Sequence, residues 1–171
     1  GQGLWTSGDK KSSYEGNYAF GKRDGTGRMQ YSNGDGYEGN WQQGKKHGKG
    51  KYHWASDGSY YKGDWKEDKR DGSGLMKYAN GDKYTGNWRN DNFEDQGIYK
   101  WTDGRRYEGM FSKGLKEGKG KMEYPDGDYY NGNWKNDLYD GVGEYYVSEE
   151  KTKYKILTEA GQICESIRPM K

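Results

Sequence analysis

Large apolar and aromatic residues alternate with polar residues in short runs along most of this chain. Met29 and Tyr31 are separated by one polar residue, and so are Tyr52 and Trp54. Alternation with a period of two, rather than 3.6, is typical of β-strands that have one apolar face. Glycine-containing turns such as Asn33-Gly34 end the runs. The pattern therefore predicts short antiparallel strands joined by tight hairpins.

The runs belong to a repeat of 23 or 24 residues. Each unit opens with a tyrosine, followed two residues later by a glycine and two residues after that by an aromatic residue. These segments are YEGNY (14–18), YEGNW (37–41), YKGDW (61–65), YTGNW (84–88), YEGMF (107–111) and YNGNW (130–134). A fixed spacing over six units predicts a repeat array in which each unit leans only on its neighbours.

The loops between units predict the register of the strands on either side. Ser-Asn-Gly lies between Tyr31 and Asp35, and such a three-residue loop suits a type I turn followed by a G1 bulge. This turn places Met29 opposite Tyr37. Corresponding arguments for the other loops predict the pairs Tyr52–Tyr61, Tyr99–Tyr107 and Met122–Tyr130.

Within one unit, we predict that aromatic residues lie directly opposite glycines. The predicted pairs are Trp41–Gly50, Gly39–Tyr52 and Tyr37–Trp54. A ring laid over a glycine covers exposed backbone, and the missing side chain leaves room for the ring. The other face of the sheet carries polar residues such as Glu38 and Lys51 and is expected to be solvated.

Composition supports such an aromatic fold and excludes some partners. Only 29% of the chain is hydrophobic, against roughly 45–50% in ordinary globular proteins, yet 16% is aromatic and 18 residues are tyrosine. The net charge of +2 arises from 29 basic and 27 acidic residues and gives no electrostatic footprint for nucleic acid. Cys164 is the single cysteine, so no internal disulfide exists, and we expect it to be a small buried hydrophobe. No long apolar run and no signal peptide are visible.

The predicted fold class is all-β: an elongated single-layer twisted antiparallel β-meander with about two strands per 23-residue repeat. Residues 1–147 are predicted to form the array, with a partial repeat in 1–13 and units starting at 14, 37, 61, 84, 107 and 130. Residues 148–171 are predicted to cap it with a hairpin around Glu159-Ala160-Gly161, whose apolar members are Ile156, Ile163 and Ile167. The alternative is a short helix ended by Pro169.

The units resemble MORN repeats (membrane occupation and recognition nexus), whose pattern is Tyr-x-Gly-x-Trp-x-x-Gly-x-x-x-Gly-x-Gly with a following Asp-Gly. The second unit, YEGNWQQGKKHGKG, fits every marked position. The resemblance implies a MORN-repeat solenoid. Tyr18 and Phe111 replace the tryptophan, and Asp95 replaces the first glycine of the Gly-x-Gly pair. The substitution at Asp95 leaves the conformation of the loop at 90–96 open.

No constellation of residues predicts catalysis, a cofactor or a metal. His47 and His53 stand where other units carry polar or acidic residues, and two histidines with one cysteine make neither a triad nor a zinc site. The GDGYEG segment at 34–39 leaves a turn and enters a strand, so it offers no helix N-terminus to a phosphate. The Asp-Gly turns lack EF-hand spacing. We therefore predict a protein that is not an enzyme.

The aromatic face is the candidate binding surface, because an apolar face left partly open is a docking site and aromatic anchors dominate binding energy. The predicted partner-binding residues are Trp41, Trp54, Trp65, Tyr78, Trp88, Trp101, Phe111, Tyr124 and Trp134, with Tyr31 beside them.

We predict a non-catalytic scaffold or adaptor that binds an extended or helical segment of a partner protein. The resemblance implies a cytoplasmic, cytoskeletal or ciliary assembly, for example a radial spoke. It also implies an alternative, a membrane-surface or phospholipid-binding targeting module. The short basic loops Lys45-Lys46, Lys69-Arg70 and Arg105-Arg106 argue against that alternative, because a membrane-surface protein needs a larger basic cluster. A third interpretation is a targeting module of a larger enzyme. A free edge strand also predicts homodimerisation.

Overall fold

The computed structural model describes residues 1–9 and 11–169, with side chains described as far as Cys164. Fifteen β-strands make up most of this part of the chain, which contains no helix. They are β1 (Gln2–Thr6), β2 (Ser13–Ala19), β3 (Lys22–Gln30), β4 (Gly36–Gln42), β5 (Lys45–His53), β6 (Tyr60–Lys66), β7 (Lys69–Lys77), β8 (Lys83–Arg89), β9 (Asn92–Lys100), β10 (Arg106–Ser112), β11 (Leu115–Glu123), β12 (Tyr129–Lys135), β13 (Leu138–Val147), β14 (Thr152–Glu159) and β15 (Gln162–Pro169).

The strands follow one another in the sheet in the order of the chain, as an antiparallel meander does. Two strands per repeat arise because each repeat contains one hairpin of its own and one turn to the next repeat. The all-β meander that the alternation predicts is therefore confirmed. The chain divides into two compact units. The first unit is Gly1–Gly81 with Trp88–Asp91, and the second unit is Asp82–Asn87 with Asn92–Lys171.

The turns between repeats have the predicted geometry. The Tyr31 amide donates to the Asp35 carbonyl at 2.9 Å, the Gly34 amide donates to the Tyr31 carbonyl at 3.0 Å, and Gly34 has a φ of 89°. This is a type I turn closed by a left-handed glycine. The predicted pairs Met29–Tyr37, Tyr52–Tyr61, Tyr99–Tyr107 and Met122–Tyr130 are confirmed.

The predicted register inside the repeat is wrong by two residues at Tyr37 and Gly39 and by four residues at Trp41. The pairs Trp41–Gly50, Gly39–Tyr52 and Tyr37–Trp54 are not formed. The observed pairs are Tyr37–Tyr52, Gly39–Gly50 and Trp41–Lys46. Glycine therefore lies opposite glycine, and tyrosine opposite tyrosine.

The cause is a tighter turn than the predicted register assumed. Gln43 and Gly44 have φ values of 48° and 87°, so a two-residue type I′ turn joins β4 to β5. A β-bulge between Gly39 and Trp41 then changes the register by two residues, so the pairs on the turn side of the bulge differ from those on its other side. Shifts of two and of four residues are both even, so the side chains keep their predicted faces. Glu38 and Lys51 are accordingly exposed on the opposite face from Tyr37.

From the second repeat onward, each type I′ turn is held by the hairpin before it. The Gly44 amide donates to the Arg23 carbonyl at 2.8 Å, and the Asp68 amide donates to the Lys46 carbonyl at 3.0 Å. A carboxylate of the preceding hairpin adds a second bond, since Asp24 Oδ2 accepts the Gln43 amide at 3.0 Å. The turns therefore join successive repeats outside the strand ladder itself.

The substitution at Asp95 left the conformation of its loop unpredicted. In the structure, Asp95 has the same left-handed conformation as the glycines at the corresponding positions of other repeats. Asp95 has a φ of 54°, in the left-handed region, where Gly25 and Gly48 have φ values of 98° and 63°. It lies opposite Phe111 as Gly25 lies opposite Trp41. Aspartate tolerates this region better than most residues, so the substitution strains the loop without changing its path.

The C-terminal hairpin is confirmed, and the alternative helix is not formed. β14 and β15 pair through a turn at Ala160 and Gly161. Of its apolar members, Ile156 is buried, whereas Ile163 is 56% exposed. Cys164 is also exposed rather than buried. β15 has a neighbour on one side only, which explains the exposure of both residues. The Ile167 side chain lies outside the described part of the structure.

Candidate functional site

The tyrosine that opens each repeat is the centre of the aromatic face, which is defined here as the face of the sheet that carries these rings. Tyr37 is 1% exposed, and its hydroxyl donates to the Asn40 carbonyl at 2.9 Å. The ring crosses the strand glycines: a Cβ atom at Gly50 would lie 2.2 Å from the Tyr37 hydroxyl oxygen. The same hydrogen bond recurs as Tyr14–Asn17, Tyr61–Asp64, Tyr84–Asn87, Tyr107–Met110 and Tyr130–Asn133. Rings do cover bare backbone as predicted, but diagonally rather than directly across the ladder.

The tryptophan of the second repeat packs between two such tyrosines. Trp41 lies edge-to-face with Tyr14 and Tyr37, at centroid distances of 5.4 and 5.0 Å. Its Nε1 donates to the Gly27 carbonyl at 3.2 Å, in the preceding repeat. We call these tyrosines and their partners the buried column; its second members are Trp41, Trp65 and Trp88 in the first unit, and Phe111 and Trp134 in the second.

Burial changes the acid–base behaviour of the column. Removal from water raises the pKa of Tyr37, Tyr61 and Tyr107, because the tyrosinate anion loses its hydration. The phenols are therefore neutral hydrogen-bond donors at neutral pH, as their bonds to backbone carbonyls require.

A cation covers the tryptophan in four repeats. The Arg23 guanidinium lies 4.1 Å from the Trp41 ring, and Lys46 Nζ lies 4.3 Å from Trp65. Arg70 over Trp88 and Lys116 over Trp134 repeat the arrangement at 4.3 and 4.7 Å. Burial lowers the pKa of Lys46 and of Lys116. Cation–π attraction compensates part of this lost hydration.

Aromatic rings occupy the same position in the other two repeats. Phe93 stacks on Tyr84 at 3.7 Å, and Tyr139 stacks on Tyr130 at 3.9 Å. The sequence carries a signal for this position, because the residue nine places after each repeat tyrosine is always basic or aromatic. This position was not predicted as part of the site.

A second set of rings lies where the odd-numbered strands end, and we call it the half-buried row: Tyr31, Trp54 and Tyr78 in the first unit, Trp101 and Tyr124 in the second. Trp54 packs on Tyr52 at 4.7 Å, and Tyr52 lies 5.9 Å from Tyr31. Buried Asp35 fixes this cluster, since its carboxylate accepts the Tyr52 hydroxyl at 2.6 Å and the Ala55 amide at 2.9 Å.

The nine predicted partner-binding residues divide into two groups. Trp41, Trp65, Trp88, Phe111 and Trp134 belong to the buried column and are 3–6% exposed. Trp54, Tyr78, Trp101 and Tyr124 belong to the half-buried row. A rigid surface could therefore offer only the second group to a partner, while the first group supports the sheet beneath it.

Shallow grooves adjoin both sets of rings. In the first unit a groove of about 450 Å³ is lined by Trp5, Tyr14, Tyr18, Met29 and Arg23, among others. In the second unit a groove of about 210 Å³ is lined by Arg105, Lys116, Tyr124 and Trp134, among others. Trp5, which is 47% exposed, was not among the predicted site residues.

Carboxylates pair with at least one cation of each basic loop that could favour a membrane surface. The ion pairs are Lys45–Glu67 at 3.6 Å, Arg70–Asp91 at 2.9 Å, Arg105–Asp103 at 2.8 Å and Arg106–Glu123 at 3.1 Å. Among the described residues, no helix is long and apolar enough to cross a bilayer, and no group of three or more His, Cys, Asp and Glu residues could hold a metal ion. His53 is exposed and His47 half-buried.

Comparison with protein families identifies the class. The model of the MORN repeat matches residues 14–36, 37–59, 61–83, 84–105, 107–129 and 130–148. The chain therefore belongs to the MORN-repeat family. No curated protein matches it.

Two solved structures are similar to this chain. The TCP domain of SAS-4 (dCPAP) of Drosophila melanogaster, in complex with a proline-rich motif of Ana2 (dSTIL), has a TM-score of 0.50 and 18% sequence identity, covering 92% of this chain and 90% of that one. A mutant of the TCP10 domain of Danio rerio CPAP has a TM-score of 0.31 and 17% identity over 96% of this chain and 98% of that one. The first similarity shows a shared fold.

Proposed function

We propose that this chain is a non-catalytic scaffold that binds a segment of a partner protein along its aromatic face. The observation that carries the proposal is the half-buried row: Trp54 and its counterparts retain exposed ring surface beside a column that is already fully packed. The described residues form one sheet and no helix that could cover this face. Rings held in place by packing lose little freedom on binding, which favours them as anchors.

The buried column and the half-buried row would then have different roles. The column fixes the backbone through hydrogen bonds such as Trp65 Nε1 to the Gly50 carbonyl at 3.1 Å. The row contacts the partner. A protein partner is further supported by the similar SAS-4 structure, which holds a proline-rich motif of another protein. The cytoskeletal or ciliary setting follows from what MORN proteins commonly do, and belongs to the same proposal. Homodimerisation through β1 stays a prediction.

The experiment compares aromatic residues on the two faces. The test variant carries Trp54→Ala and Trp101→Ala. The control carries Tyr60→Ala and Tyr129→Ala, which remove half-buried rings that point to the polar face because each precedes a repeat tyrosine. A partner is first identified by photo-crosslinking from position 54, and its affinity for purified protein is then measured by calorimetry.

We expect the test variant to lose about tenfold or more in affinity, since truncated aromatic anchors cost about 1.4 kcal/mol or more. The control should lose less than about threefold. The proposal is overturned if the control loses more affinity than the test variant, or if no protein crosslinks from position 54.

A further inference from the structure

The half-buried row of the first unit has a fixed pitch. Tyr31, Trp54 and Tyr78 directly follow β3, β5 and β7, so successive rings are two strands apart. At about 4.8 Å between strands, the rings repeat about every 9.6 Å along the sheet. Arg23, Lys46 and Arg70 form a second row with the same pitch, each lying in the strand that precedes a ring of the first row and eight residues before that ring. The long side chain brings Lys46 Nζ to 4.6 Å from Tyr52, which packs on Trp54. A segment that crosses the strands therefore meets one ring and one cation per repeat.

Only one regular peptide conformation matches this pitch. A polyproline II helix has three residues per turn and rises about 3.1 Å per residue, so it presents the same face about every 9.3 Å. An extended β-segment covers a similar distance in three residues, but its side chains alternate with a period of two, so the third residue points away. An α-helix needs about 6.4 residues for the same rise, which turns its face sideways.

Charge decides what the segment carries. Arg70 forms an ion pair with Asp91 at 2.9 Å. Among the described residues, neither Arg23 nor Lys46 forms an ion pair with a carboxylate. The Arg23 guanidinium donates to the Gly44 carbonyl at 2.8 Å.

Asp68 lies beside Lys46 and offsets part of its positive charge, but it makes no ion pair with the ammonium group. Asp68 Oδ1 accepts the backbone amide of Lys46 at 2.8 Å, and Lys46 Nζ lies over Tyr52 at 4.6 Å. Arg23 and Lys46 therefore lie one repeat apart on the aromatic face without a carboxylate in ion-pair contact, and acids three residues apart on a polyproline II helix have the matching spacing.

We propose that the first unit binds an acidic, proline-rich partner segment in the polyproline II conformation. The segment crosses the strands with every third residue toward Tyr31, Trp54 and Tyr78, and its acidic side chains lie near Arg23 and Lys46. Prolines stack on the exposed ring surfaces and reduce the entropy lost on binding. This inference rests on the proposed function and names the class of segment that the aromatic face recognises.

The test uses four fluorescent peptides and the whole chain, with binding followed by anisotropy. The probe is four repeats of Glu-Pro-Pro. The first control contains the same residues as a block of glutamates followed by a block of prolines, which destroys the three-residue spacing. The second replaces every glutamate by glutamine, and the third replaces every proline by glycine. We expect the probe to bind about tenfold tighter than each control, and its advantage over the glutamine peptide to vanish at about 0.5 M salt.

Matched protein variants locate the site. Arg23→Gln with Lys46→Gln should weaken the probe about tenfold, whereas Lys51→Gln with Lys62→Gln removes two exposed cations from the polar face of the same unit and should change it less than about threefold. The salt dependence of the unmodified protein serves the same purpose if the first variant fails to fold. Equal weakening by both variants, equal binding of the probe and any control peptide, or equally tight binding of an oligothymidine overturns the inference.

A random peptide library separates this inference from the proposed function. If the library yields peptides that are not acidic polyproline segments and whose binding is lost in Trp54→Ala, the scaffold function stands and this inference falls. If no library peptide and no probe binds through Trp54, both fall.

Discussion

Two tryptophans of the first unit, Trp65 and Trp54, lie on the same face of the sheet and serve different purposes. Trp65 is 4% exposed, packs edge-on between Tyr37 and Tyr61 at 5.5 and 5.2 Å, and donates its indole hydrogen to a backbone carbonyl. Trp54 is half-buried and packs mainly on Tyr52. The comparison teaches that the position of a tryptophan, and not its ring, decides what it does. A tryptophan flanked by tyrosines of two repeats stabilises the fold, whereas one at a strand end stays partly exposed on the surface.

The largest expected difference between the two rings is in stability. Trp65→Ala should lower the free energy of unfolding by about 3–5 kcal/mol, since it leaves a cavity in the buried column and an unpaired Gly50 carbonyl. Trp54→Ala should cost about 1 kcal/mol, because only part of its ring leaves water on folding. Urea denaturation followed by circular dichroism measures both values. Equal losses would contradict the division of the aromatic face into two sets of rings.

Substitution of a glycine that lies under a ring of the buried column should lower stability nearly as much as removal of the ring itself. A side chain at Gly50 would come within 2.2 Å of the Tyr37 hydroxyl and 2.5 Å of its ring. Gly50→Val should therefore cost about 3 kcal/mol, the upper part of the usual range for overpacking. Gly8 has nothing within 4 Å of an added Cβ, so Gly8→Val is the matched control and should change stability by less than about 0.5 kcal/mol. Urea denaturation provides the measurement, and a harmless Gly50→Val would show that the ring does not need the glycine.

The sequence predicts the parts of the fold that short segments determine. The loop after Tyr31 contains its own left-handed glycine, so the register of the following strand could be predicted correctly. The register inside the repeat depends on the type I′ turn at Gln43-Gly44 together with the bulge before Trp41, and the combination was not recognised. The face of each side chain was still predicted correctly, because the error is an even number of residues throughout the hairpin.

The candidate site was harder to predict than the fold, because alternation reveals the face of a residue and not its depth. Trp54 and Trp65 both lie on the aromatic face, and the contact that buries Trp65 comes from Tyr37 of the preceding repeat. The cation over each indole was missed for a related reason. From the sequence, Lys46 is expected to be a surface lysine. In the structure the bulge places it opposite Trp41 and over Trp65.

Alkaline pH should weaken the buried column. Burial raises the pKa of Tyr37, Tyr61 and Tyr107 above the unfolded value of about 10. A pKa that is higher in the folded state means that the stabilisation is complete below pH 10 and is lost as pH rises toward the folded values. Unfolding free energies measured by urea denaturation from about pH 8 to pH 11 should therefore fall only above about pH 10. Tyr61→Phe should flatten this fall, and a constant stability across the range would disprove the assignment.

The smallest expected effect strengthens the sheet without touching the half-buried row. A carboxylate accepts the first amide of the following type I′ turn at Asp24–Gln43, Asp71–Asn90, Glu94–Lys113 and Glu117–Asn136, at 3.0–3.1 Å. His47 occupies this position before the turn at Glu67, and among the described residues it makes no such bond. His47→Asp should supply the acceptor and raise the unfolding free energy by about 0.5–1 kcal/mol.

The matched control removes an acceptor that exists. Asp71→Ala takes away the bond to the Asn90 amide and should lower stability by about the same 0.5–1 kcal/mol. Lys45, which lies 3.6 Å from Glu67, offsets the negative charge that His47→Asp adds beside this turn. Neither variant alters a ring of the half-buried row, so partner affinity should stay constant while stability moves in opposite directions. If both variants match the unmodified protein in urea denaturation, the carboxylates contribute nothing to stability and the backbone bonds alone hold the turns. Only substitutions of the rings could then change stability without changing partner affinity.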